Sequence, residues 1–274
     1  MTLAVDADGF TALTRTISAA AGLALDGYKD KCLRRRIAVR MRACGVHTYP
    51  DYQRLLAQDP GEYEKLTDAL TINVTRFYRN AGTWDRLAHE VLPGLWAGRQ
   101  GAVRVWSAGC SSGEEPYTIA MLLAAEAERA GRRSWLSRST IVATDIDRAC
   151  LERARTARYP EAAFSETPAA LLASYTRPVA SERDVVPEVR ALVEVRRVDL
   201  FLDPVPGPAF DLVTCRNVII YFDRASQERL FTRFVDALVP GGVLVLGKVE
   251  TLFGPARERL ELIDARERIF RRPA

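Results

Sequence analysis

A run of seven small residues, Ser107-Ala108-Gly109-Cys110-Ser111-Ser112-Gly113, follows an apolar stretch, Val103–Trp106, and leads into Glu114, Glu115 and Pro116. Small side chains let a ligand lie against the backbone, and a helix that opens at a proline leaves free N–H groups facing it. A polyphosphate would meet two carboxylates where its own charge should sit. A ligand carrying a cationic group suits this loop better. The same glutamates would also complement the dipole of the following helix.

Three further stretches place polar residues where a ligand could meet them. In "IVATDID", 141–147, a strand pattern ends in Asp145. An acid at the end of the second strand of a doubly wound sheet bonds ribose hydroxyls. The alternative is a helix N-cap, a role that Asp147 fills more easily. The GxGxxG spacing of a dinucleotide site is absent. In "FDLVTCRNVIIYF", 210–222, an apolar strand runs into Arg216-Asn217, and Tyr221 follows. Ligands of open α/β sheets sit outside the carboxyl ends of the strands, so Asn217 and Tyr221 stand where chemistry occurs. They could instead cap a helix and pack under the sheet. In "TINVTRFYRN", 71–80, Asn73, Thr75 and Arg79 punctuate an apolar segment at the join of two differently patterned regions. Such joins are common ligand sites.

The elements that must carry these residues follow from periodicity. Residues 8–70 have helical spacing. Phe10, Leu13, Ile17 and Ala21 form one stripe, and Leu33, Ile37, Met41 and Cys44 form another on a helix expected over 27–43. Thr48 or Asp51 can cap the next helix. From Val103 onward strands alternate with helices. The expected strands are 103–106, 141–144, 193–196, 210–215, 242–247 and 268–271, with amphipathic helices over 115–130 and 225–238. This is the pattern of a parallel sheet covered on both faces. "VPGG", 239–242, signals a turn before the fifth strand. Residues 159–194 carry four prolines and fit neither period. A structureless loop of that length is unusual, so a small helix and hairpin at the sheet's edge is expected.

Composition bounds the rest. The 274 residues are 48% hydrophobic and 27% charged with net charge +4, which describes an ordinary globular protein with a sizeable core. The charge permits an acidic partner without demanding nucleic acid. Five cysteines are too widely spaced for a CxxC metal motif and read as reduced thiols. The N-terminus shows no signal peptide. No run of about 18 apolar residues is present, so no membrane insertion is expected. A cytoplasmic protein without a metal is the resulting expectation.

As a set, "TINVTRFYR", "RVWSAGCSSGEEPYTIAM", "TDID", "FDLVTCRNVIIYF" and "GGVLVLGKVETL" resemble the CheR family of chemotaxis receptor methyltransferases, over about residues 10–271. The resemblance implies a Rossmann-like class I methyltransferase domain with a small β-subdomain insertion at about 159–194, preceded by an all-helical N-terminal domain. The expected boundaries are 1–72 for the helical domain, 73–102 for a linker and connecting helix, and 103–274 for the methyltransferase domain. The implied cofactor is S-adenosyl-L-methionine, which has an ammonium and a sulfonium but no phosphate, so the acids at the lip of the glycine turn cease to be a puzzle. By the match, Glu115 meets a positive group of the cofactor and Asp145 takes the ribose hydroxyls. Asn73, Thr75 and Arg79 close over the methionine end, and Ala108, Arg216 and Asn217 line the floor. Asp199 and Leu200 stand where the family usually has Asn-Leu beside the adenine. The acid keeps an acceptor and loses the amide's donor.

The implied reaction moves a methyl group to a receptor glutamate, giving a methyl ester and S-adenosylhomocysteine. With a pKa of about 4.3 such a carboxylate is already ionised near pH 7, so no general base is needed. Neither histidine, His47 or His89, falls in a matching motif. Arg36 and Arg79 are the candidate cations for the substrate carboxylate, with the Tyr221 hydroxyl as a positioner. Lys29, Lys31, Arg34, Arg35, Arg36, Arg40 and Arg42 crowd one helix against a single acid, Asp30. Lys29, Arg36 and Arg40 fall at the border of its apolar stripe, and Lys31, Arg35 and Arg42 on the far side. The border set is expected to face an acidic chemoreceptor helix, whereas the absence of interleaved aromatics speaks against nucleic acid. Some relatives bind a C-terminal receptor peptide by strand addition to the β-subdomain, through a glycine-rich turn. Residues 175–198 hold no glycine, and Pro178 and Pro187 remove ladder donors, so no such tether is expected. Two alternatives stay open: a methyltransferase of another protein or of RNA, which Tyr221 and the helical N-terminal part disfavour, and a non-catalytic cofactor-binding module, which intact Arg36, Arg79 and Tyr221 disfavour.

Overall fold

The computed structural model describes residues 6–21, 24–71, 74–99 and 102–274. The chain forms two compact units, Met1–Ile72 with Tyr221–Gln227, and Asn73–Ile220 with Glu228–Ala274.

In the first unit Phe10, Leu13, Ile17, Leu33, Ile37 and Met41 of the helical stripes are buried as their spacing predicts, while Cys44 is only partly buried. Helices α1 (Ala7–Ala21), α2 (Asp30–Ala43), α3 (Tyr49–Gln58) and α4 (Pro60–Leu70) enclose Leu13, Ile17, Leu33, Ile37, Met41 and Leu66. Thr48 caps α3 by accepting the Asp51 N–H, and Asp59 caps α4 by accepting those of Gly61 and Glu62. Helix α2 starts three residues later than its pattern suggests. Leu25–Gly27 form a separate 3₁₀ turn, and Lys29 is extended with its N–H donating to the Tyr221 carbonyl at 2.9 Å. The Asp223 N–H likewise donates to the Gly27 carbonyl, and Tyr28 meets Phe222 edge-on at 4.7 Å. These contacts bind 221–223 to the helical unit, which no local sequence signal indicates.

The second unit is built on β1 (Arg104–Ala108), β2 (Thr140–Asp145), β3 (Arg158–Pro160), β4 (Thr176–Val179), β5 (Glu182–Val185), β6 (Val193–Arg197), β7 (Phe210–Cys215), β8 (Leu238–Leu246), β9 (Glu261–Asp264) and β10 (Ile269–Arg271). Seven form one sheet in the order β6-β2-β1-β7-β8-β10-β9. The first five are parallel, while β10 runs antiparallel to both β8 and β9. Its helices are α5 (Ala81–Arg86), which passes through a π-turn into α6 (Leu92–Gly98), then α7 (Glu114–Arg129), α8 (Arg148–Thr156), α9 (Ala169–Tyr175), α10 (Pro187–Arg190), α11 (Arg224–Ala237) and α12 (Pro255–Glu258). Strand β7 is buried throughout, as its unbroken apolar run requires. Trp106 packs against Phe210 and Phe234 at 5.7 and 5.4 Å. Strand order reverses between β1 and β7, so the loops leaving their carboxyl ends lie side by side and define the crevice.

Two expectations need correction. The turn at 239–242 lies inside β8, where the register jumps from Phe210↔Leu238 to Leu212↔Val243 and Gly241 has φ +79°. The tertiary ladder absorbs it as a bulge. Strand β9 was not expected, because its four residues leave their side chains largely exposed and show no alternation. In the insertion the expected hairpin is β4–β5, and β3 adds a third strand in the order β3-β5-β4. Its turn is Ala180-Ser181, with Ala180 at φ +53°.

Candidate active site

At the end of β1 the chain turns at Gly109 (φ +78°) and enters α7 through Gly113 (φ +97°). A Cβ at Gly109 would stand 2.5 Å from Val218 Cγ2, and one at Gly113 2.7 Å from the Tyr159 hydroxyl. Glycine is required at both for close approach as well as for backbone angle. Glu115 lies one residue inside α7. Its Oε1 accepts from Ser107 Oγ at 3.0 Å and Thr214 Oγ1 at 2.6 Å, and its Oε2 from Arg216 Nη1 at 3.3 Å. Arg216 is buried. Its Nη2 donates to the Arg79 carbonyl at 2.8 Å and Asn80 Oδ1 at 3.1 Å, and its guanidinium covers the Trp84 ring at 4.7 Å. Burial pulls its pKa down and the Glu115 carboxylate pushes it back up. Glu115 and Arg216 thus form a buried pair that ties β1, β7, α7 and the 79–80 turn together. The Arg79 side chain donates to the Val74 carbonyl at 2.6 Å. Thr75 lies part-buried on the same loop, Ala108 is buried at the end of β1, and Asn73 lies outside the described residues.

Asp145 ends β2 beside the glycine turn. Its Oδ1 accepts the N–H groups of Ile146 and Asp147, and its Oδ2 that of Ser111 at 2.8 Å. Burial raises its pKa, and those three bonds oppose the rise. Asp147 caps α8 by accepting the Cys150 N–H, so the capping role falls to Asp147 and leaves Asp145 facing the loop. Beyond β6, Asp199 Oδ1 accepts from the N–H groups of Phe201 and Leu202 at 2.7 and 3.2 Å, beside buried Leu200. An asparagine could accept the same two bonds, so the Asp-Leu departure preserves the turn.

The Asn217 backbone is left-handed (φ +62°), directly after the buried Arg216. Its N–H and those of Val218 and Ile219 all donate to Glu250, a residue the motif reading quoted without assigning a role. An acid four residues beyond a buried strand was the available signal, masked by its polar neighbours Lys248 and Thr251.

Arg36 and Tyr221 meet inside the helical unit. The Arg36 guanidinium lies 4.7 Å from the Tyr221 ring centroid, its Nη1 donates to the Leu70 carbonyl, and its Nη2 is buried with no partner among the described residues. Arg36 is 8% exposed, and desolvation lowers its pKa while Tyr221 opposes that. Arg40 differs from expectation. It is bound bidentately to buried Glu62 at 3.0 and 2.5 Å, and the Tyr52 hydroxyl donates to the same carboxylate. Of the residues at the border of the stripe, Arg36 is therefore buried, and Arg40 is partly buried in an ion pair with Glu62. Lys29, just before α2, is exposed, as is the far-side set on α2, Lys31, Arg35 and Arg42, which flanks Val39, itself 50% exposed.

A mostly parallel sheet with this strand order, a glycine turn lipped by acids after β1 and an acid ending β2 define a class I methyltransferase. The all-alpha domain of the CheR methyltransferases matches residues 8–71, and their S-adenosylmethionine-binding domain matches residues 73–269. A chemotaxis protein methyltransferase of Listeria innocua is 35% identical over 89% of this chain and 90% of its own length. That of Escherichia coli is 35% identical over 90% and 86%. Chemotaxis protein methyltransferase 2 of Pseudomonas aeruginosa is 36% identical over 84% and 81%. The chain belongs to the CheR methyltransferase family. It is an S-adenosylmethionine-dependent methyltransferase acting on chemoreceptors in chemotaxis-type signalling. Among the described residues no helix is long and apolar enough to cross a membrane.

Proposed function

We propose that the enzyme esterifies receptor glutamates and that Arg36 receives the carboxylate, with the Tyr221 hydroxyl as its positioner. The observation behind this reading is the Arg36 Nη2, a buried guanidinium nitrogen without a partner among the described residues, on an arginine braced by Tyr221 and Leu70. A buried donor left unpaired costs free energy unless a ligand satisfies it. S-adenosylmethionine supplies a methyl group activated by a positively charged sulfur. The residues fit such a cofactor: the turn is acid-lipped and glycine-lined, and Asp145 is partly exposed. Asp145 would bind ribose, and Asp199 and Leu200 the adenine. Glu115, while bound to Arg216, would present negative charge to a positive group. Asn73, Thr75 and Arg79 would close the methionine end, with Ala108 and Asn217 beneath. The enzyme's own work is then to orient an already ionised carboxylate and exclude water. The neutral ester loses its ion pair with arginine, which favours release.

Asp145→Ala is expected to weaken S-adenosylmethionine binding by about 1–3 kcal/mol, the range for charge-assisted hydrogen bonds. Melting temperature should fall as well, because three backbone N–H groups lose their acceptor. Calorimetric titration that finds the affinity unchanged would remove Asp145 from the cofactor site.

The cations exposed on α2 support a receptor-facing surface there. In a cytoplasmic setting, Lys31, Arg35, Arg42 and Val39 on α2 would meet an acidic receptor helix. Both outer strands of the small sheet carry a proline, Pro160 on β3 and Pro178 on β4, and the β4–β5 turn has no glycine. Such edges are poor templates for an added strand. Deleting the last residues of the receptor should leave the initial methylation rate unchanged. Raising salt, or the pair Arg35→Glu/Arg42→Glu, should raise KM severalfold with kcat retained. Tight binding of a receptor C-terminal peptide would overturn tether independence.

A further inference from the structure

Glu250 is 3% exposed, and its two oxygens are fully used by backbone donors. Oε1 accepts the N–H groups of Val218 and Ile219 at 3.0 and 2.9 Å, and Oε2 those of Asn217 and Gly247 at 3.1 and 2.6 Å. A carboxylate has about four acceptor sites, and a protonated one must give up at least one of them to carry its hydrogen. Burial raises its pKa and the four N–H dipoles oppose that rise, and among the described residues no ion pair to it is formed. It fastens the loop leaving β7 to the end of β8.

What it fastens is the polar loop of the crevice. Asn217 is held at φ +62°, a conformation that costs a non-glycine residue free energy and persists only where the surroundings over-determine it. Val218 is the residue that fills the space of a Gly109 side chain, so its placement sets the glycine turn after β1. Ile219 opens the 3₁₀ turn Ile219–Tyr221. Gly247 has no room for a side chain: a Cβ would lie 2.7 Å from Glu250 Oε2 and 2.8 Å from the Asn217 nitrogen.

We infer that Glu250 is a positioning residue for methyl transfer, acting through the backbone of Asn217, Val218 and Ile219 rather than by touching substrate. The inference rests on the reading of this crevice as the methyltransferase site. Glu250→Gln is nearly isosteric but turns one acceptor oxygen into a donor that faces two N–H groups. Gly247→Ala disturbs the same knot with the carboxylate intact. With a receptor cytoplasmic fragment and saturating S-adenosylmethionine, each is expected to lower kcat by about 100-fold, the cost of a displacement near 1 Å. KM for the fragment and the calorimetric Kd for S-adenosylmethionine should each stay within about fivefold. The double variant should be little worse than either single one, because both break one unit. A kcat within threefold of wild type in Glu250→Gln would overturn the inference, as would parallel losses in kcat and cofactor affinity, which a merely structural role produces. Should Glu250→Gln fail to fold, Glu250→Asp keeps the charge and shortens its reach. An unchanged kcat there would overturn the inference equally. Wild-type transfer in the same assay separates the two levels: its absence would sink the reading of the site, whereas its presence with an indifferent Glu250 sinks only this inference.

Discussion

Arg36→Ala is expected to lower the methyl-transfer rate by about 10²- to 10³-fold, the loss typical of removing one pre-organised donor from a developing or reacting anion. Cofactor affinity should change little, because no cofactor contact is assigned to Arg36. Stability should change by less than about 1 kcal/mol. The variant gives up the bond to the Leu70 carbonyl, but it also relieves a buried cation with a nitrogen unpaired among the described residues, and the two effects oppose each other. Arg36→Lys should rescue only in part, since an ammonium cannot span the Leu70 carbonyl, the Tyr221 face and a carboxylate as the planar fork does. Single-turnover transfer of a labelled methyl group to a receptor fragment, beside calorimetric titration of the cofactor, separates these effects. Equal losses of rate and cofactor affinity would show that Arg36 does not serve the substrate.

The second large effect is expected at the pair Glu115–Arg216. Breaking a buried ion pair from one side costs about 3–5 kcal/mol, because the remaining charge is left without compensation. Arg216→Met should therefore lower the melting temperature by roughly ten degrees in a protein of this size. It also removes the bonds to Arg79 and Asn80, so the loop over the crevice should loosen and cofactor affinity should fall tenfold or more. The double variant Glu115→Gln/Arg216→Met should recover part of the stability, since neither charge then remains buried alone, but none of the affinity. A melting temperature within three degrees of wild type for Arg216→Met would show that Glu115 is adequately held by Ser107 and Thr214.

Much of the crevice was legible from the chain because its signals are local. A buried strand needs a continuous apolar run, so Phe210–Cys215 could be read to the residue. A turn that must let a ligand approach needs small residues, so Gly109 to Gly113 marked the site. An acid closing a strand pattern marked Asp145. Helical periodicity set the core positions of α1 and α2, and the capping chemistry of Thr48 needs only the three residues that follow it.

Other features depend on residues far apart in sequence, and only the tertiary structure decided them. On a helical wheel Arg36 and Arg40 look like surface cations at the border of a stripe. Their partners, the Leu70 carbonyl and Glu62, sit 34 and 22 residues away on another helix. Glu115 read as an open acid, yet Arg216 lies 101 residues on and neutralises it. Glu250 carried only a weak local signal, an acid shortly after a buried strand, because the N–H groups it gathers from Asn217, Val218 and Ile219 become neighbours only when β7 and β8 pair in parallel. The attachment of Tyr221 to the helical unit is likewise a ladder contact with Lys29 across the chain. Sequence thus determined the elements and the small-residue turn, since propensity and periodicity act over a few residues. The partners of Arg36, Glu62, Arg216 and Glu250 were set by packing, since a charge out of water must be paired by whichever group the fold brings to it.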